Sequence, residues 1–261
     1  MKLTEHVSYE LRDRVAHVRL DRPEARNALS GAIVEGLVRA VEEVERDRRV
    51  RAVLVAGEGG WFCAGGDLKA FASGGFDPGQ AKGVHDGLLG LHRLPVPVVA
   101  AIEGGAIGYG IGLASVCDIR VAARGARFQA GFTGIGLSPD STTSFFLPRL
   151  LGLSRALAFM LSNLPATAEE MHSAGYVAAL ADPGDAIATA TQLAEHMALM
   201  PSAALRRAKR LLQWSLSNSP ERQIEAEVRF ITETFPTADF REGITAFVEK
   251  RKPAFNAERQ D

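Results

Sequence analysis

The sequence predicts an α/β fold that gives way to a mostly helical C-terminal part. Three observations carry this. Short unbroken apolar runs at residues 52–56, 98–102 and 119–122 alternate with segments of helical period in the first half. Runs of that kind suit strands buried on both faces, as in a parallel sheet. Beyond Pro139 the runs stop and helical segments follow one another. The length, 261 residues, fits one α/β unit with a helical extension.

Each element has a local reason. Residues 7–20 read as two short strands around a turn at Asp13. Ser30 is a favoured helix N-cap, and the helix after it sets Ile33, Leu37, Val41 and Val44 on one face. Further helices are expected over 80–94 and 111–116, then over 154–161, 168–174, 185–200, 202–216, 220–234 and 239–250. The late helices have wide apolar faces, such as Ile224, Val228 and Ile231, which must pack on the core or on another subunit. The expected division is a core over residues 1–200 and a C-terminal helical region over 201–261.

Composition excludes several classes. Hydrophobic residues make up 46% and charged residues 23%, ordinary for a globular chain. A net charge of -1 gives no electrostatic reason to expect nucleic acid or an anionic membrane. The longest apolar run, near residues 94–102, is too short to span a bilayer. Cys63 and Cys117 form neither a metal-ligand spacing nor a disulfide framework, and no HExxH occurs among the six histidines. The first seven residues do not form a signal peptide. The expectation is a cytoplasmic protein without a metal.

Two glycine-rich turns stand out. The first, Trp61-Phe-Cys-Ala-Gly-Gly-Asp-Leu68, follows a buried strand. The second, Gly104-Gly-Ala-Ile-Gly-Tyr-Gly-Ile-Gly112, lies between a buried strand and a short helix. Glycines let such turns aim main-chain N–H groups into a cleft, and a helix start adds the positive end of its dipole. Two donors converging on one oxygen would stabilise an enolate or a tetrahedral oxyanion. Taken alone, either turn could be just a tight connection. The second has no G-x-G-x-x-G register, and neither a Walker A nor a G-x-S-x-G sequence is present.

In order along the chain, Arg22-Pro-Glu-Ala-Arg-Asn-Ala-Leu29, Phe62-Cys-Ala-Gly-Gly-Asp-Leu-Lys69, residues 101–119, Gly134-Ile-Gly-Leu-Ser-Pro-Asp140, residues 147–152 and residues 239–253 together resemble the crotonase, or enoyl-CoA hydratase/isomerase, superfamily. That resemblance covers nearly the whole chain. It implies a crotonase-like spiral of ββα units with a C-terminal α-helical region, assembled as a homotrimer or a hexamer of two trimers, with residues 201–261 as the trimerisation region. It implies an acyl-CoA thioester as substrate, with coenzyme A entering as part of that substrate and no separate cofactor. By position the oxyanion donors would be the N–H groups of Ala64 and Tyr109. The substrate would lie against Arg26, Ala28, Leu29, Ala64, Gly65, Gly66, Asp67, Leu68, Gly108 and Phe132. Phe247 and Lys250 match the helix that, in relatives, reaches a neighbouring subunit's coenzyme A.

The family's hydratases use two glutamates, and Gly112 and Phe132 stand in their places. Neither can transfer a proton, whereas hydration needs one group to activate water and another to protonate the α-carbon. One carboxylate remains. Asp140, after Ser138-Pro139, fits an N-terminal helix cap on local rules. By resemblance it matches the acid/base of the family's enoyl-CoA isomerases, and a pocket shaped by Phe132, Tyr109 and Phe145 would suit it to proton shuttling. The family's aryl-CoA dehalogenases use an aspartate there as nucleophile and need a histidine, for which His85 is the candidate. Enoyl-CoA hydration, thioester hydrolysis, dehalogenation and non-catalytic acyl-CoA binding remain the alternatives. The isomerases usually have glycines where Thr142 and Thr143 stand.

Overall fold

The computed structural model describes residues 1–74 and 81–256. Strands β1 (Lys2–Thr4), β2 (Val7–Arg12) and β3 (Val15–Leu20) form an antiparallel meander. Asp13 and Arg14, at φ 45° and 67°, make the turn between β2 and β3. Helix α1 (Gly31–Arg46) starts where the Ser30 Oγ accepts the Ile33 N–H at 3.2 Å. Then come β4 (Ala52–Gly57), α2 (Leu68–Ala72), α3 (Ala81–Arg93), β5 (Val98–Ile102), β6 (Gly105–Ile107), α4 (Tyr109–Val116), β7 (Ile119–Ala123) and β8 (Arg127–Gln129). The rest is α5 (Thr143–Leu151), α6 (Leu153–Ser162), β9 (Ala166–Thr167), α7 (Ala168–Ser173), β10 (Ala179–Ala181), α8 (Ala186–Leu199), α9 (Ser202–Trp214), α10 (Pro220–Thr234) and α11 (Ala238–Val248).

The main sheet runs β1-β2-β3-β4-β5-β7-β10 and is parallel from β3 onward. Its central strands are apolar on both faces because both faces are covered. On β4, Val53 and Val55 join the larger core beneath α1 and α3, while Ala52, Leu54 and Ala56 face α8. Helix α8 meets the sheet through Ala186, Ala190, Ala194 and Ala198, all buried at a spacing of four. Small residues at that spacing let a helix axis lie close to the strands. Glu103 holds this helix at its start, accepting the N–H groups of Ala186 at 2.7 Å and Gly184 at 3.3 Å.

A second sheet, β6-β8-β9, stands beside the first. The chain passes from β5 to β6 through Gly104 at φ 61°, where a Cβ would lie 2.4 Å from the Gly60 carbonyl oxygen. This β5-β6-α4 unit carries the second glycine turn. Two differences from the sequence expectation matter for the site. Helix α4 begins at Tyr109 rather than at residue 111, and α5 forms with Pro148 inside it, a residue that argues against a helix on local rules.

Helix α9 is tied to the core by Lys209, which lies 2.7 Å from the Asp118 carboxylate and donates to the Val96 carbonyl at 2.9 Å. The outer faces of α10 and α11 are different. Ile224, Val228, Ile231, Phe235 and Ile244 are all exposed on the single chain, so they do not pack on the core.

Candidate active site

The first glycine turn is stitched to its neighbours by main-chain bonds. The Cys63 N–H donates to the Gly105 carbonyl at 3.2 Å, and the Ile107 N–H donates to the Cys63 carbonyl at 3.0 Å. The Leu29 N–H donates to the Gly65 carbonyl at 2.7 Å. Gly65 has φ 93°, and a Cβ there would sit 2.7 Å from the Ile107 carbonyl oxygen, so glycine is required. The Arg22–Leu29 segment is fastened by Asn27, fully buried at φ 56°. Its amide donates to the Glu58 and Trp61 carbonyls at 2.9 and 2.7 Å and accepts the Arg22 N–H at 2.8 Å.

These bonds correct one expectation. The Ala64 N–H already donates to the Arg26 carbonyl at 3.0 Å and is not free for a ligand. The Gly66 N–H, two residues on, makes no hydrogen bond among the described residues. On the second turn the Gly108 N–H is held by the Gln129 carbonyl at 3.1 Å. Tyr109 opens α4, and its N–H is one of the donors a helix start leaves without an internal partner.

Both turns border one cavity of about 540 Å³. It brings together most of the residues expected from sequence. Leu29, Ala64, Gly65, Gly66 and Leu68 line one part, and Gly108, Tyr109, Phe132 and Asp140 line the rest. Ile107, Gly131, Ile135, Leu137, Ser138 and Ser141 also line it. Ile107 comes from the second glycine turn and Ile135, Leu137 and Ser138 from the 134–140 motif, although none of them stands among the site residues expected from sequence. Phe71 and Val84 close it on the side of α2 and α3.

Other expected residues lie elsewhere. Ala28 is buried, with its carbonyl taken by the Arg22 guanidinium at 3.1 Å. Asp67 works as the cap of α2, accepting the N–H groups of Lys69 and Ala70, and pairs with Arg22 at 2.7 Å. These contacts, the Ala70 N–H first and then Arg22, hold its carboxyl below the ordinary carboxylate value. Arg26 stacks its guanidinium over Trp61 at 4.9 Å. Phe247 is 84% exposed at the end of α11, and both it and Lys250 lie outside the cavity lining of their own chain. Phe145 is turned outward, packed under Arg149, and does not shape the cavity. Val84, not His85, faces the cavity from α3.

Asp140 is not a helix cap. Its main-chain carbonyl accepts the Thr143 N–H at 3.0 Å and the Thr143 hydroxyl at 2.7 Å. Among the described residues its carboxylate accepts only the Ser141 hydroxyl, at 2.5 Å. Ser141 and Thr142 take left-handed φ values of 50° and 66°, so the N-cap position passes to Thr142, which offers no side-chain cap. The carboxylate is thereby left on the cavity wall. Gly112 cannot be exchanged for a larger residue in this frame, because a Cβ there would lie 2.3 Å from the Ser141 carbonyl oxygen. Burial pushes the Cys63 thiol up to about 12, so it stays protonated and is no nucleophile. Among the described residues no cluster of three or more His, Cys, Asp or Glu could hold a metal.

Comparisons with known proteins show the family. A family profile for enoyl-CoA hydratase/isomerase matches residues 10–258. The chain belongs to the enoyl-CoA hydratase/isomerase family. It is 36% identical to a probable enoyl-CoA hydratase of Rhodobacter capsulatus, over 95% of this chain and 97% of that one. It is 34% identical to the 1,2-epoxyphenylacetyl-CoA isomerase of Escherichia coli, over 90% and 92%. The crystal structure of an enoyl-CoA hydratase from Polaromonas sp. JS666 superposes with a TM-score of 0.90 at 31% identity, covering 95% of this chain and 99% of that one. The fold is that of the crotonases. Members with closely similar folds carry different names, so the reaction has to be argued from the cavity of this one.

Proposed function

We propose that the protein shifts the double bond of an enoyl-CoA, with Asp140 as the single acid/base. The observation that carries this is one carboxylate on the cavity wall, with glycine and phenylalanine where a second proton-transfer group would stand. The N–H groups of Gly66 and Tyr109 receive the thioester oxygen. Asp140 removes a proton from one carbon of the acyl chain, the negative charge spreads to the thioester oxygen as a dienolate, and the same carboxyl returns the proton two carbons away. No water is consumed, so one carboxylate suffices. The donors are fixed before the reaction, which is what makes such a site effective. The name of the Escherichia coli relative, an acyl-CoA isomerase, is in keeping with this reading.

The exposed apolar faces of α10 and α11 support assembly as a trimer or a pair of trimers, with residues 201–261 at the interface and Phe247 and Lys250 near a neighbour's coenzyme A. The test of the reaction is isomerisation of hex-3-enoyl-CoA by the wild type and by Asp140→Asn. Equal activity of the two removes Asp140 as the base. Rapid hydration of crotonyl-CoA by the wild type removes the isomerase reading in favour of hydration.

A further inference from the structure

The side chain of Tyr109 has no role in the reaction as drawn so far; only its main-chain N–H does. Yet that side chain is 3% exposed, and its hydroxyl, fully buried, has no hydrogen-bond partner among the described residues. A buried hydroxyl without a partner costs free energy, and Tyr109 carries it from a position that lines the cavity. Its surroundings explain where it can act. Tyr109 and Gly112 are three apart on α4 and share a face. Gly112 sits directly under Ser141, so that face lies against the Asp140–Thr142 turn. The Thr142 hydroxyl in this turn is likewise buried and without a partner among the described residues. Tyr109 and Asp140 line the same cavity, and burial first, with smaller contributions from the neighbouring Cys63 and Asp140, lifts the Tyr109 phenol well above 10. Two left-handed non-glycine residues, Ser141 and Thr142, thus follow a carboxylate that among the described residues is held by Ser141 alone. The two hydroxyls without a partner among those residues belong to this turn and to the α4 face packed against it. Local strain of this kind persists at sites where it is released by a working step.

We propose that Tyr109 is a positioning residue: when an acyl-CoA fills the cavity, the Ser141–Thr142 turn relaxes and the Asp140 carboxylate exchanges its Ser141 bond for one donated by the Tyr109 hydroxyl. This rests on Asp140 being the acid/base. One residue then serves both ends of the reaction, its N–H on the thioester oxygen and its hydroxyl on the carboxylate. The bond holds the carboxylate toward the acyl carbons instead of toward the turn.

Tyr109→Phe keeps the N–H and removes the hydroxyl. With hex-3-enoyl-CoA its kcat is expected to fall at least tenfold while KM changes less than twofold. The ligand-free melting temperature is expected to be no lower than that of the wild type, since no bond is lost in the free protein. In an Asp140→Asn background the same change should alter the residual kcat less than twofold. If isomerisation is slow, α-proton exchange of hexanoyl-CoA in deuterium oxide reads the same quantities. A kcat equal to the wild type overturns the proposal, as does a loss that comes with a lower melting temperature and persists without Asp140. If Asp140→Asn alone is fully active, the acid/base reading itself fails, which is a distinct outcome.

Discussion

Two walls of the same cavity are made in different ways. The wall with the Gly66 and Tyr109 N–H groups is main chain held by main chain, with bonds among Arg26, Leu29, Cys63, Ala64, Gly65 and Ile107. Its oxyanion donors depend on where the backbone lies and not on the identity of the side chains beside them. The wall over residues 132–141 is lined by side chains, among them a single carboxylate, Asp140, to which the proposed reaction gives the proton. The first wall should therefore fail by loosening and the second by a change of one atom.

The largest expected effect is on the second wall. Asp140→Asn should lower kcat for 3-enoyl-CoA isomerisation by about 10²–10⁴-fold, with little change in stability, because the carboxylate caps nothing; steady-state kinetics beside a melting curve separates the two. On the first wall, Asn27→Ala removes three buried hydrogen bonds and leaves a left-handed alanine. A loss of about 3 kcal/mol in urea unfolding is expected, with activity falling as the turn at 61–66 loosens. A loss below about 1 kcal/mol would mean the clasp does not hold that wall.

Where the walls meet, Gly112→Glu would restore a glutamate at the hydratase position. Its Cβ runs into Ser141, so it should cost about 1–3 kcal/mol and give no hydration of crotonyl-CoA. Hydration gained by this variant would show that the second wall yields. The smallest effect belongs to Asp67→Asn, about 0.5–1 kcal/mol, because the amide oxygen can still cap α2 and only the charge paired with Arg22 is lost. The sign with pH follows from its lowered carboxyl value. The contribution is present above about pH 4, the unfolded value, and is lost as pH falls through the depressed folded value. The gap in melting temperature between wild type and variant should be open at pH 7 and closing at pH 3.

The same contrast governs what could be read in advance. The buried strand Ala52–Gly57 and the Ser30 cap are local features, and the structure bears them out. The two glycine turns announce main-chain donors. Which N–H remains free depends on the Arg26 carbonyl, thirty-eight residues from Ala64, and no local pattern records that pairing. Asp140 is the reverse case. The local rule favours a cap, but the left-handed Ser141–Thr142 pair moves the helix start past it. Thr142 and Thr143 depart from the glycines of the isomerases, and it is at Thr142 that the turn takes its unusual form. The sequence marks Ile224, Val228 and Ile231 as a face that must pack on the core or on another subunit, and on the single chain all three are exposed.

The sealed thiol of Cys63 has a practical meaning. It sits between the two loops, fully buried and protonated, with its main-chain oxygen bonded to Ile107. Cys117 is buried as well. A thiol reagent can therefore reach neither group while the loops are in place, and the rate at which the protein is labelled counts how often these regions open. The cysteine next to the site does no chemistry, but it keeps a record of every time the site comes apart.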